Sequence, residues 1–182
     1  MILTGSEILK NIESGKIVIS PFNISQLNPN SYNFTLGNKL VVYNNYILDA
    51  KKNNEARELI IPDSGITLAT GTIYLGHTQE EIGSNNFVPI IRGRSSVGRL
   101  GLFINITADL IDMGSINQLT LQLNAVQPVT IYPGMQIGQV TFWQPLGEIV
   151  KYEGRYAGSS GPVTSKMYLD FCKNREDKST EC

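Results

Sequence analysis

Short runs in which apolar and polar residues alternate, each cut off by glycine, proline or asparagine, recur along most of this chain. That period of two lets an extended strand bury one face and wet the other, whereas a helix would scatter the same residues around its axis. Strands are predicted at residues 16–20 (stopped by Pro21), 32–36 (stopped by Gly37), 39–43, 59–62, 66–70, 72–78, 87–91, 102–108, 129–132 and 136–143, and around Leu119, Leu121 and Leu123. Turns are predicted at residues 26–30, at Asn44-Asn45, at Asp63-Ser64-Gly65, at Gly71, at Gly114 and at Pro133-Gly134. The last of these is expected to close a hairpin between 129–132 and 136–143. Residues 49–57 are charged and without pattern, which suits a surface loop. Helix is predicted near the start, where Thr4 and Glu7 have capping-box spacing, Ile8, Leu9 and Ile12 follow at helical intervals, and Gly15 supplies a stop. A short turn at residues 94–99 can add a second. Strands this short and this regularly punctuated predict an all-β barrel or jelly roll with one or two short helices.

At 182 residues the chain is expected to form one domain with a real core. This domain is predicted to span 1–172, with 173–182, polar and aperiodic, as a disordered tail. A net charge of −1 excludes a general basic footprint for nucleic acid, so an anion would need a local arginine cluster. No run has the length of a membrane span, and the start lacks the layout of a signal peptide. A cytoplasmic location is therefore expected, and the sequons at Asn23, Asn33 and Asn105 are read as irrelevant. The two cysteines, Cys172 and Cys182, are not expected to form a structural disulfide.

The candidate chemistry lies between Arg92 and Gln122. In Gly93-Arg94-Ser95-Ser96-Val97-Gly98-Arg99, a turn started by Ser95 or Ser96 would join free amides, two hydroxyls and forked guanidinium groups into an anion site. The same residues also suit an ordinary capped turn with solvated arginines. No G-x-x-x-x-G-K-[ST] occurs, which excludes a nucleotide-binding P-loop. In the strand expected at 102–108, Leu102, Ile104, Ile106 and Ala108 share one face. Asp109 and Asp112 follow. Asp112 could orient a water or simply cap the turn at Gly114. On the return strand Thr120, Gln122 and Asn124 face away from the leucines, so Gln122 points to a wet surface or polar cavity. With one histidine, His77, expected in a solvated Gly-His-Thr turn, and two late cysteines, the zinc-deaminase ligand set is missing. The glycine-rich stretch 152–162 could close over a ligand or be a plain loop.

These motifs together resemble the dCTP deaminase and dUTPase superfamily, nearest its deaminase-type branch. The resemblance runs from Met1-Ile2-Leu3 through Gln26-Leu27-Asn28-Pro29, Ser31-Tyr32-Asn33 and Leu36-Gly37 to Gly93-Arg94-Ser95-Ser96 with Arg99-Leu100-Gly101. It continues in Thr107-Ala108, Ile111-Asp112, Pro133-Gly134-Met135, Ile137-Gly138, Gly154-Arg155-Tyr156, Gly161-Pro162, Ser165 and Asp170-Phe171. It implies a distorted jelly-roll β-barrel of the dUTPase type and a homotrimer with sites between subunits. The ligand it implies is a pyrimidine deoxynucleoside triphosphate carrying Mg²⁺, with no metal ligand from the protein. By position, Arg94, Ser95, Ser96, Arg99, Tyr152, Arg155 and Ser159 would hold phosphates. Thr107, Ala108, Ile111 and Ser115 would form the base and sugar pocket, Asp112 would position water, and 152–171 would be the lid.

Two positions depart from the family pattern. Gln122 stands where the deaminase branch has the glutamate that activates water, and Ser115 stands where an aromatic ring usually meets the sugar. An amide cannot act as a general base, and losing such a base removes about a hundredfold to ten-thousandfold in rate. Attack at phosphorus depends more on charge neutralisation. The leading expectation is therefore a diphosphatase acting on dUTP, with dCTP as a second candidate substrate. The alternatives are a dCTP deaminase releasing dUTP and ammonia, or an inactive nucleotide-binding homologue.

Overall fold

The structure is a computed structural model that describes residues 1–172; the expected tail at 173–182 and Cys182 lie outside the described residues. Helix α1 (Gly5–Glu13) opens the chain and is followed by β1 (Ile17–Ser20), a 3₁₀ turn (Ile24–Gln26), β2 (Tyr32–Thr35), β3 (Lys39–Tyr43), β4 (Ala56–Ile60), β5 (Ile66–Leu68) and β6 (Tyr74–Ser84). Then come β7 (Val88–Gly93), α2 (Ser95–Gly98), β8 (Leu102–Phe103), β9 (Ile116–Ala125), β10 (Val129–Ile131), β11 (Gln136–Trp143) and α3 (Tyr168–Cys172). The fold is mostly β with short helices, as the punctuation implied. The strands form a six-stranded sheet ordered β4-β3-β6-β9-β8 with β1 added on β6, a three-stranded sheet β2-β11-β7, and the pair β10-β5. These jelly-roll-type sheets do not close into one continuous barrel. No helix among the described residues is long and apolar enough to cross a membrane.

The core lies between the sheets. Tyr32, Phe34, Leu36, Leu40, Leu121, Leu123, Ile137, Val140 and Phe142 are all buried there, each supplied by the inward register of its strand or strand end. β6 is the spine, pairing with β1, β3 and β9. It runs past Thr78, where the expected strand ended, because the acidic stretch Gln79-Glu80-Glu81 is accommodated. Glu80 is buried, yet its carboxylate accepts from the Thr35 amide (3.0 Å) and the Thr35 hydroxyl (2.9 Å). A register shift between His77 and Glu81 absorbs the irregularity. Hydrogen bonds of this kind let a buried charge persist inside a strand, which polarity patterning alone does not anticipate.

Several local expectations are corrected. The capping box does not form: Thr4 caps α1 by position, but its hydroxyl pairs with Ser6 (3.1 Å), and Glu7 pairs with Lys10 (3.7 Å). α2 begins at Ser95, but its N-cap position is Arg94, and no side chain caps it. Residues 129–132 and 136–143 are not hairpin partners. β10 pairs with β5, and β11 lies between β2 and β7. The turn between them is tied to the end of β2 instead, through Gly134 N to Leu36 O (2.7 Å) and Leu36 N to Met135 O (3.0 Å). The loop expected at 49–57 ends early, since Ala56 and Arg57 already pair with Tyr43 and Val42.

His77 is not in a solvated turn. It sits in β6, only 5% exposed, with its ring packed against Gly37. Its Nδ1 lies 2.8 Å from the Thr78 carbonyl and therefore carries the proton, while Nε2 has no hydrogen-bond partner among the described residues. Burial holds its pKa below the usual histidine value.

Candidate nucleotide site

The segment after α2 departs most from its predicted form, and its departure builds the site. Alternation across 102–108 lasts only to Ile104: Leu102 and Ile104 are buried, but Ile106 and Ala108 are exposed. β8 pairs with β9 at only two positions, Leu102 with Ala125 and Phe103 with Asn124. Beyond them Gln122 N still donates to Ile104 O (2.8 Å), but Ile106 N donates to the side-chain oxygen of Gln122 (3.2 Å). A side chain thus replaces a backbone rung, and the strand peels away. Residues 109–111 then settle against the edge of β7, with Ile91 N to Asp109 O and Ile111 N to Pro89 O both at 2.9 Å. Pro89 has no amide hydrogen, so its carbonyl is what that edge offers.

A cavity of about 580 Å³ opens over the outward face of β9. Gln118, Thr120 and Gln122 line its floor. Ala108, Leu110, Ile111 and Ser115 form one wall, and Tyr43, Ile73 and Leu75 the opposite one. The C-terminal stretch supplies Tyr156, Ser159 and Val163 to Ser165. That stretch is held by side chains of β9: Asn117 Oδ1 accepts from Ser159 N (3.0 Å), Gln118 Oε1 from Gly161 N (2.8 Å) and Thr120 Oγ1 from Val163 N (3.1 Å). Tyr43 accepts from Ser165 N (2.9 Å). No described residue lining the cavity is charged.

Of the residues singled out in the sequence, the cavity gathers Ala108, Ile111, Ser115, Gln122 and Ser159. Thr107 is not among its lining. Asp112 is exposed and belongs to a second hollow of about 430 Å³ with Met113, Lys151 and Tyr152. Its backbone oxygen closes the turn at Gly114 by accepting from Ser115 N (3.1 Å), and its carboxylate accepts no hydrogen bond among the described residues. Tyr152 is tied beside it, N to Met113 O at 2.7 Å. Arg94, Ser95, Ser96 and Arg99 stand at α2, outside the cavity, and Arg94 Nη1 donates to Gln136 O (3.2 Å). Arg155 is turned onto the carbonyl of Lys166 and the carboxylate of Asp170, and that partner raises its pKa. Within one chain, then, the arginine turn, Asp112 and Gln122 do not converge on a single cavity. Asn117, Gln118 and Thr120 escaped the sequence reading as anchors. The polar face of their strand was visible, but the segment that docks on it lies 42 residues or more downstream.

A profile of the family described as "dCTP deaminase-like" matches residues 2–145, and curated relatives align over nearly the full length. The chain belongs to the dCTP deaminase-like family. It is 48% identical over 174 residues, 95% of this chain and 100% of the relative, to a protein of Clostridium botulinum named "dCTP deaminase, dUMP-forming". Proteins of the same name from Hathewaya histolytica (47% over 172 residues, 94% of this chain and 99% of the relative) and Cytophaga hutchinsonii (47% over 174 residues, 95% and 100%) match as well. Among solved structures, the 2′-deoxycytidine 5′-triphosphate deaminase of Agrobacterium tumefaciens shares the fold. The TM-score is 0.62 at 20% identity, covering 78% of this chain and 47% of that one.

These names overturn the leading functional expectation. The relatives of this dCTP deaminase-like chain are named as deaminases that form dUMP, not as plain dUTP diphosphatases. The expectation weighed the loss of one carboxylate at Gln122 above the agreement of the whole chain with the deaminase-type branch. Near-complete alignment reverses that weighting.

Proposed function

We propose that this chain is a pyrimidine deoxynucleotide enzyme of the dUMP-forming dCTP deaminase type. The observation that carries the reading is the uncharged cavity over β9, sized for a nucleoside and lined by Ala108, Ile111, Ser115 and Gln122. The near full-length similarity to dUMP-forming deaminases supports it. In the first step water adds at C4 of the cytosine ring, the C4–N bond breaks and ammonia leaves, giving dUTP. In the second, water cleaves the bond between the α and β phosphates, giving dUMP and pyrophosphate.

A cavity without charge accommodates a base and sugar but not a triphosphate. The arginine turn at Arg94, Ser95, Ser96 and Arg99 lies outside the cavity of its own chain, which supports assembly of the site in a homotrimer, one copy's turn meeting another copy's cavity. Arg155 and Tyr152 of the C-terminal stretch 152–171 would join it as a lid. Among the described residues no cluster of acidic, histidine or cysteine side chains could hold a metal ion. Mg²⁺ would accordingly be held by the triphosphate oxygens, where it neutralises phosphate charge.

A second reading is favoured by one observation. Among the described residues no aspartate, glutamate or histidine lines the cavity, and the Gln122 oxygen already accepts from Ile106 N. Among the described residues of one chain no side chain there is suited to take a proton from water, which favours a nucleotide-binding homologue in which deamination has been lost. Incubation with dCTP and Mg²⁺, followed by chromatography of nucleotides and an ammonia assay, separates the two. Release of dUMP, ammonia and pyrophosphate supports the first reading. Saturable dCTP binding with the nucleotide left intact supports the second, and absence of binding removes both.

A further inference from the structure

We propose that Gln122 reads the pyrimidine ring as a hydrogen-bond donor, so that the cavity holds a ring with a carbonyl at C4 more tightly than one with an amino group. The inference rests on the reading that this cavity receives the base of a deoxynucleotide. Backbone N–H groups only donate, so the Ile106 amide, 3.2 Å from the Gln122 side chain, requires the oxygen end of that amide. The NH₂ end is thereby fixed as the other terminus, on a residue that lines the cavity. It donates to no acceptor among the described residues.

The neighbouring polar groups are engaged with the C-terminal stretch and with one another. Asn117, Gln118 and Thr120 each have their side-chain oxygen engaged by a backbone amide of the C-terminal stretch. The Ser115 hydroxyl oxygen accepts from Asn117 Nδ2 at 2.7 Å, which directs its own hydrogen elsewhere. The hydrogens these side chains offer a ligand are the NH₂ of Gln122 and the hydroxyl hydrogens of Ser115 and Thr120; each engaged oxygen keeps a second lone pair, so the preference rests on the Gln122 NH₂. A cytosine amino group meeting the Gln122 NH₂ sets donor against donor and leaves both unpaired, whereas a uracil carbonyl accepts.

For a chain of the dUMP-forming type this has a direct consequence. Deamination turns the C4 amino group into a carbonyl, so Gln122 gains a hydrogen bond when ammonia leaves. The uracil nucleotide would then stay seated while its α–β phosphate bond is cleaved. Gln122 on this view retains an intermediate and does not act as a base.

The test is stopped-flow binding of α,β-imido-dUTP and α,β-imido-dCTP, neither of which can be cleaved at that bond, in the presence of Mg²⁺ and read before the first deamination turnover, so that the cytosine analogue is still intact. The wild type is expected to bind the uracil analogue about tenfold to a hundredfold more tightly, the range set by one unpaired buried polar group. Gln122→Glu, which accepts only, should reverse the order, and Gln122→Leu should level it. The wild-type ratio decides the matter even if a variant fails to fold. Equal affinities, or tighter binding of the cytosine analogue, overturn the inference and leave the nucleotide reading standing. Failure of both analogues to bind overturns both.

Discussion

The side-chain oxygen of Asn117 accepts a hydrogen bond from the backbone amide of Ser159 at 3.0 Å, joining β9 to a segment 42 residues later. The other end of the same amide donates to the Ser115 hydroxyl, so one buried side chain links the cavity wall to the C-terminal stretch. Asn117→Leu keeps the shape and removes both bonds. It should cost about 1–3 kcal/mol, the range for leaving buried partners unsatisfied, as read by denaturant unfolding. Trypsin should also cut faster at Arg155 and Lys166. An unchanged cleavage rate would mean that Asn117 does not hold the segment down.

Gly37 and His77 test the packing of β6 from a second direction. A Cβ on Gly37 would lie 2.1 Å from Cε1 of the His77 ring, far inside contact distance. Gly37→Ala is expected to destabilise by about 1–3 kcal/mol through overpacking. Combining it with His77→Ala should cost less than the sum of the single changes by about 0.5–3 kcal/mol, because the added methyl then occupies vacated space. Strict additivity would show that the ring yields without strain.

Acid should expose the same histidine. Burial lowers the His77 pKa below its ordinary 6.5; the Thr78 carbonyl opposes the shift, Lys39 on β3 adds to it, and Glu58 on β4 opposes it. The unfolded chain therefore binds this proton at a higher pH than the folded one. Its contribution to stability is whole above 6.5 and is lost as pH falls through the folded value. Melting temperatures from pH 7.5 down to 5 should fall more steeply for the wild type than for His77→Asn, with carboxylate titration common to both. Parallel curves would remove His77 from the acid response.

Arg155 meets Asp170 before it meets any ligand. If its task is to hold phosphate, Asp170 is a resident competitor, and Asp170→Asn should strengthen binding of inorganic tripolyphosphate at low salt. The gain should be about twofold to fivefold, the size of a surface ion pair, and should shrink as salt is added. Affinity that does not change in calorimetric titration would take Arg155 out of the anion site.

Sequence reading and structure agree where a single strand contains the whole signal. The bounds expected at 39–43 and 136–143 match β3 and β11 residue for residue, although β11 shifts register between Gln136 and Gly138, and the outward set Thr120, Gln122 and Asn124 was legible because side-chain direction along a strand is a local property. The length of β6 was hidden because its acidic middle is satisfied by Thr35 and Gln26, which no pattern within 79–81 encodes. The pairing of 129–132 failed in the same way: a Pro-Gly turn marks a change of direction but not the strand to which the chain returns.

For the candidate site the division is sharper. Residue types and their order were enough to name the family; it is the structure that sets Ala108, Ile111, Ser115, Gln122 and Ser159 around one cavity. Only tertiary structure decided that Asp112 and the arginine turn stand outside that cavity, that Asp170 occupies Arg155, and that Ile106 fixes which end of Gln122 a ligand meets. Local chemistry decides what a side chain can donate or accept, but which of its atoms remain available depends on neighbours brought in from distant parts of the chain.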